Sequence, residues 1–183
     1  MLGPPGSGKS THARLLAEHL AVVHLSVGAA LRDEVAKRSP LGERIAARVA
    51  AGELVDTSDV LAILEVPLVA ATGSGGWVLD GAPRTLTQAE VLDDWLDDLE
   101  APIDCVIALD VPDPEVRSRL LRRGRADDTP DVIAHRLQVW QRDGGAVLRW
   151  YEAKRRLVRV DGVGDVTDVA RRVTVAVEQS APS

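Results

Sequence analysis

The chain has 183 residues, 45% of them apolar, a formal net charge of −6 and a single cysteine. That length allows one domain with a real core, and an acidic balance provides no global field for nucleic acid. A lone cysteine excludes an internal disulfide and fits a reducing cytoplasm, no apolar run approaches the ~18 residues of a membrane span, and no signal peptide is expected.

In chain order, the first feature is Gly3-Pro-Pro-Gly-Ser-Gly-Lys-Ser-Thr11, a phosphate-binding P-loop pattern. Gly6 and Gly8 keep side chains away from a bound phosphate, and the loop feeds a helix whose free N–H groups favour anions. Lys9, expected to be exposed in the loop, would reach the outer phosphates. Ser10 or Thr11 would hold Mg²⁺ through a hydroxyl. The helix is expected over 11–20, followed by a short strand over 21–25. Ser26 is expected to cap a helix to about Lys37, Pro40 to start another to Ala51, and Gly52 to close it. A helix over 57–71 and a glycine turn at 73–76 lead to a strand over 77–80 that ends on Asp80.

Further on, 85–99 reads as an amphipathic helix whose acids Asp93, Asp94, Asp97 and Asp98 form one solvated face. A strand over 103–110 and a helix over 114–123 precede a charged loop. Thr129 caps a helix to about Arg142, and Gly144-Gly145 interrupts it before a helix over 146–155. A strand over 157–160 and a helix over 166–177 complete the chain. Short apolar strands alternating with helices imply an α/β fold with a parallel sheet covered on both faces.

An apolar strand ending in an acid, downstream of a P-loop, suits Asp80 to hold Mg²⁺ through water. Arginines near loops and helix ends (Arg32, Arg84, Arg123, Arg125 and Arg136) suit electrostatic clamping of a transferring phosphoryl group. Arg38, Arg44, Arg48, Arg155 and Arg171 read as solvated surface. His12, His19, His24 and His135 lack metal-ligand spacing, Cys105 reads as inert core, and the four tryptophans read as packing.

Over nearly its whole length the chain resembles the short-lid adenylate kinases. The residues that carry the resemblance are GPPGSGKST, the block at 26–37, AGELV at 51–55, GWVLDGAPRTLTQAE at 76–90, RLLRRGRADDTPDVIAHRL at 119–137 and VDGVGDV at 160–166. The resemblance implies reversible phosphoryl transfer from ATP to AMP, giving two ADP, with Mg²⁺. It implies that Gly6, Ser7, Gly8, Lys9, Ser10 and Thr11 hold the ATP phosphates, that Arg123 covers ATP, and that Gly164 contacts its adenine. Ser26, Val27, Arg32, Glu53, Leu54, Val55, Gly81, Ala82, Pro83, Arg84 and Gln88 are implied at AMP. Arg125 and Arg136 would lie between the nucleotides, with Asp127 and Asp128 helping to close the lid.

The implied fold is a P-loop three-layer α/β/α domain over 1–183, with a helical monophosphate-binding flap at 26–55 and a short lid at 123–131. The two segments close to keep water from ATP. A cytoplasmic monomer that binds small nucleotides, not nucleic acid or membrane, is expected. Where the family usually has Thr and an acid, Val27 and Ala29 stand here; Ala82 replaces an aromatic. Val27 is expected to raise the AMP requirement. Only Met1 and Leu2 precede the loop, so the first, central strand is expected to be truncated. Two other readings stay open: a UMP/CMP-type kinase, and a nucleotide-binding protein with little turnover. Thr85 and Gln88 favour AMP over pyrimidines.

Overall fold

Strands that are apolar on both sides need helices over both faces. The computed structural model, which describes residues 1–124 and 128–180, has that arrangement. β1 (Val23–Ser26) pairs in parallel with β2 (Trp77–Asp80), and β3 (Val106–Asp110) pairs in parallel with β4 (Leu157–Asp161). Met1 and Leu2 lie between the two pairs. The Met1 ammonium donates to the Leu79 carbonyl at 2.7 Å, and Leu2 forms a parallel bridge to Ala108. These two residues link the pairs, Leu2 to β3 and Met1 to β2.

Alternation along each strand sorts the side chains between the layers. Val78, Ile107, Leu109 and Val160 meet Ala13 and Leu16 of α1 (Lys9–Leu20) and Val169 and Val173 of α9 (Val166–Glu178). Leu25, Leu79 and Val106 join the opposite core. There they belong with residues of α4 (Thr57–Thr72), α5 (Leu86–Asp98) and α8 (Gly145–Ala153), among them Leu64, Leu68, Leu96 and Tyr151. A smaller core of Val116, Leu120, Ile133 and Leu137 joins α6 (Asp113–Arg123) to α7 (Pro130–Val139). The layers are therefore α/β/α, and the fold is the P-loop α/β fold that the resemblance implies.

Several local expectations change. α1 begins at Lys9, two residues early, because the loop itself supplies the first turn. α2 (Val27–Lys37) follows Ser26 as expected, but the Ser26 hydroxyl makes no capping bond. At the next junction Ser39 is the working cap of α3 (Pro40–Ala51), accepting from the Gly42 N–H at 2.9 Å. Gly144-Gly145 does not break the helix. A π-helical turn, Trp140–Gly144, links α7 to α8, and Gly144 packs so closely on Trp140 that an added Cβ would lie 2.6 Å from its ring. β3 starts at Val106, leaving Ile103 buried outside it and Cys105 half-buried just before it.

The acidic face of α5 is not uniformly solvated. Asp93 is 2% exposed and accepts from three α8-side donors: Trp150 Nε1 at 2.9 Å, the Tyr151 hydroxyl at 3.1 Å and Lys154 Nζ at 2.5 Å. Lys154 also lies over the Trp150 ring, 4.5 Å from its centroid. Removing this carboxylate strands a buried tyrosine hydroxyl and leaves an ammonium without its counter-charge. Asp93→Ala is therefore expected to lose about 2–4 kcal/mol in urea denaturation. A change below about 0.5 kcal/mol is what a solvated surface acid gives, and would show that the α5–α8 clamp does not depend on Asp93.

Candidate active site

The loop between Leu2 and α1 turns on Gly6, whose φ is +83°. A Cβ there would lie 2.7 Å from Leu120 on α6, so glycine is needed for packing behind the loop as well as for access in front of it. The loop ends at Gly8, the N-cap of α1, whose first-turn N–H groups have no partner within the helix. They lie at a cavity of about 750 Å³.

Gly6, Gly8, Lys9, Ser10, Thr11, Arg123 and Gly164 line this cavity. So do Ser26 at the end of β1, Val27 and Arg32 on α2, Glu53, Leu54 and Val55 after α3, Gly81 and Arg84 in the turn after β2, Gln88 on α5 and Arg136 on α7. Three expected residues are placed differently. Ser7 is fully buried behind the loop, Ala82 is buried at 4% exposure, and Pro83 lines a side chamber of about 50 Å³ with Lys9, Arg84 and Arg136. Arg125 and Asp127 lie outside the described residues.

Asp80 is 3% exposed at the end of β2. It accepts from Ser10 Oγ at 2.9 Å and lies 2.7 Å from His24 Nε2. His24 therefore has a role that its spacing in the sequence does not reveal. In the β1–β2 register it pairs with Val78, and its ring reaches diagonally to this carboxylate on the same face. Arg119 was also missed. It lines the cavity, and Nη1 donates to the Gly162 carbonyl at 3.1 Å and to the Ser7 carbonyl at 3.4 Å. Its one legible signal is its position four residues before Arg123, on the same face of α6.

Gln88 is held from two sides. Its Oε1 accepts from the Arg84 N–H at 2.9 Å, and its Nε2 donates to the Val55 carbonyl at 3.3 Å, tying the segment after α3 to the turn after β2. Asp128, whose side chain is 1% exposed, takes Arg123 Nη2 at 2.6 Å and Arg136 Nη1 at 3.0 Å. Arg136 in turn crosses Gly52, where φ is +75° and an added Cβ would lie 2.8 Å from the arginine side chain. Arg44 and Arg48 are exposed, as a surface reading expects, and pair there with Asp59 and Asp56.

A family model described as "Adenylate kinase" matches residues 1–156. The chain belongs to the adenylate kinase family. Among curated relatives named "Adenylate kinase", that of Prochlorococcus marinus (strain MIT 9211) is 43% identical over 175 residues, covering 96% of this chain and 94% of its own. That of Synechococcus sp. (strain RCC307) is 44% identical over 175 residues, covering 96% and 95%. That of Stenotrophomonas maltophilia (strain R551-3) is 40% identical over 182 residues, covering 97% of each.

Lys9 is half-buried rather than exposed, and its ammonium donates to the carbonyls of Gly3 at 2.8 Å and Pro4 at 2.7 Å. Burial pushes its pKa down to about 7; the Arg84 charge adds to this, Asp80 opposes it, and Arg123 adds a smaller push. The Arg84 pKa is also lowered, first by burial and then by Arg136. Mutual repulsion of this kind is relieved by a bound polyanion. A polyanion favours charged Lys9 and raises its pKa, so binding takes up a proton at pH values between the free and bound pKa. Affinity is then full below about pH 7 and falls as pH rises above it. Calorimetry of ATP binding at pH 8, in buffers of different ionisation enthalpy, is expected to reveal an uptake that Lys9→Met removes. Equal uptake in the variant would assign the proton elsewhere.

Proposed function

We infer that this cavity is where the chain, as an adenylate kinase, transfers a phosphoryl group reversibly between ATP and AMP to give two ADP. One observation carries the reading. Lys9, Arg32, Arg84, Arg123 and Arg136 converge on a single cavity that opens at a P-loop helix, and Lys9 has its pKa depressed there. Phosphoryl transfer needs positioning and charge stabilisation more than covalent help from the protein.

In this reading the free N–H groups of the loop and α1 hold the ATP phosphates, and Lys9 leaves the Gly3 and Pro4 carbonyls to meet the outer ones. Arg32 and Arg84 hold the AMP phosphate. Arg123 and Arg136 bear on the group in transit, and Arg125 is assigned the same work by resemblance. Arg119 and Gly164 line the ATP side. The two backbone bonds of Gln88 leave one amide hydrogen and acceptor capacity on its oxygen for the adenine edge. Asp128 keeps Arg123 and Arg136 oriented before substrate arrives. The flap over 26–55 and the lid over 123–131 shut the cavity, and water exclusion protects ATP from hydrolysis.

The hydroxyl of Ser10 and the carboxylate of Asp80 are hard oxygen donors 2.9 Å apart beside the loop, a set that suits Mg²⁺. Thr11, which also lines the cavity, can add a second hydroxyl. Bound there, Mg²⁺ would neutralise charge on the phosphates. The reading is of a monomer in the cytoplasm acting on free nucleotides. Among the described residues no helix is long and apolar enough to cross a membrane.

A coupled assay of ADP formation with AMP, UMP and CMP tests the reading, and AMP is expected to be the preferred acceptor. Arg84→Ala is expected to raise the AMP requirement and cut turnover by several powers of ten, because a charge-assisted contact is lost outright; an unchanged AMP titration would put AMP elsewhere. Gln88→Leu is expected to reduce the preference for AMP over UMP and CMP by about 1–3 kcal/mol. A wild-type preference for UMP or CMP would replace the adenylate reading with the pyrimidine one.

A further inference from the structure

His12 lies on α1, one turn past Gly8, and lines the same cavity as the phosphate loop. It is 4% exposed, and its Nδ1 is buried with no hydrogen-bond partner among the described residues. Nε2 bonds none of them either. A buried ring with both nitrogens unpaired is costly, where a leucine would fill a similar volume without that cost. Its orientation is specific. A Cβ added at Gly8 would lie 3.2 Å from Cδ2 and 3.3 Å from Nε2, so the Nε2 edge lies against the cavity-lining end of the loop.

The surroundings fix the charge of the ring and the place of its proton. Burial lowers the His12 pKa, and the guanidiniums of Arg119 and Arg172 lower it further, so the ring is neutral at pH 7. A neutral imidazole has one N–H and one lone pair. Buried N–H groups without an acceptor are rarer than under-satisfied acceptors, which puts the proton on Nε2 and aims a donor at the cavity. Both arginines have partners of their own: Arg119 pairs with Glu115 at 2.8 Å and Arg172 with Asp161 at 3.1 Å. A guanidinium has no acceptor to offer the imidazole, so its N–H is left for a ligand that accepts.

The charges around the cavity fall into two sets. Lys9 feels Arg84 and Arg123, on the side assigned to the outer phosphates. His12 feels Arg119 and Arg172, which hold and flank Gly162 and Gly164 on the ATP side. A phosphate chain laid on the loop between the two sets has its α-phosphate at the His12 end. We propose that His12 is a further binding residue for ATP, its Nε2–H donating to an oxygen of the α-phosphate. The proposal rests on the reading that ATP occupies this side of the cavity. A bond from an N–H to a phosphate oxygen is charge-assisted. It satisfies the unpaired ring and fixes the inner end of the phosphate chain, while Lys9 and the other arginines act on the outer end.

Calorimetric binding of ATP to the full chain, without AMP, tests this. His12→Leu is expected to weaken ATP binding by about tenfold or more, as loss of a hydrogen bond to a charged group predicts, and to leave AMP binding unchanged. His12→Gln, whose amide N–H can stand where Nε2–H stood, is expected to restore most of the affinity. 2′-Deoxy-ATP and 3′-deoxy-ATP keep the α-phosphate, so His12→Leu is expected to weaken each as much as ATP. In the unmodified chain, the ring-nitrogen NMR signals of His12 are expected to shift on addition of ATP and to stay in place on addition of AMP, a readout that does not depend on any variant folding. The proposal is overturned if His12→Leu binds ATP as the unmodified chain does, if AMP binding falls equally, if His12→Gln is no better than His12→Leu, if either deoxy-ATP escapes the loss, or if the ring signals ignore ATP. None of these measurements needs turnover, so a chain that binds ATP through His12 yet forms no ADP would refute the assigned reaction and leave this contact standing.

Discussion

Lys9 has carbonyl oxygens for company and, among the described residues, no carboxylate within ion-pair distance. Around it stand Arg84 and Arg123, whose charges push its pKa down on top of burial. Concentrated like charge is costly in a half-buried site, and most of the surrounding architecture manages that cost. Asp128 draws off part of the field by holding Arg123 and Arg136 together. Asp80 opposes the depression of Lys9 while being held in turn by Ser10 and His24. What remains uncompensated is a demand for a mobile polyanion, and a nucleotide supplies it.

The frame that holds these charges is built from short pieces. β1 and β2 pair His24 with Val78, and from there the imidazole reaches Asp80 two residues further along the same face. α6 carries Arg119 and Arg123 to one wall, and α7 brings Arg136 across Gly52 to another. The α5–α8 contact, with Asp93 under Trp150, Tyr151 and Lys154, secures the far layer away from the site. Gln88 couples the two regions, since α5 begins just after Arg84 and the Gln88 amide reaches back to the segment that follows α3. The turn after β2 and the segment after α3 therefore share one side chain.

Leu2, just before the loop, is bridged to Ala108 of β3. The loop is aimed because Leu2 is bonded on both its N–H and C=O to β3 and Met1 reaches β2. Three backbone bonds of Met1 and Leu2 thus tie the loop to β2 and β3.

From residues alone, the P-loop, the acid-terminated strand over 77–80, the arginines and the bounds of α3 were all legible. Each depends on local chemistry: glycines at fixed offsets, an apolar run closed by a carboxylate, Pro40 at one helix end and Gly52 at the other. What the sequence could not reveal depended on partners distant along the chain. Asp93 and Asp94 are neighbours of one type, yet only Asp93 turns toward α8 and is buried. His24 has no metal spacing and gains its role from a strand 56 residues away. Lys9 looks like an exposed loop cation until burial and the arginines brought in by α6 and the turn after β2 reset its pKa. Local pattern determines what a residue can do. Burial, charge and hydrogen bonding depend on which distant groups the fold sets beside it, and tertiary structure alone decided those.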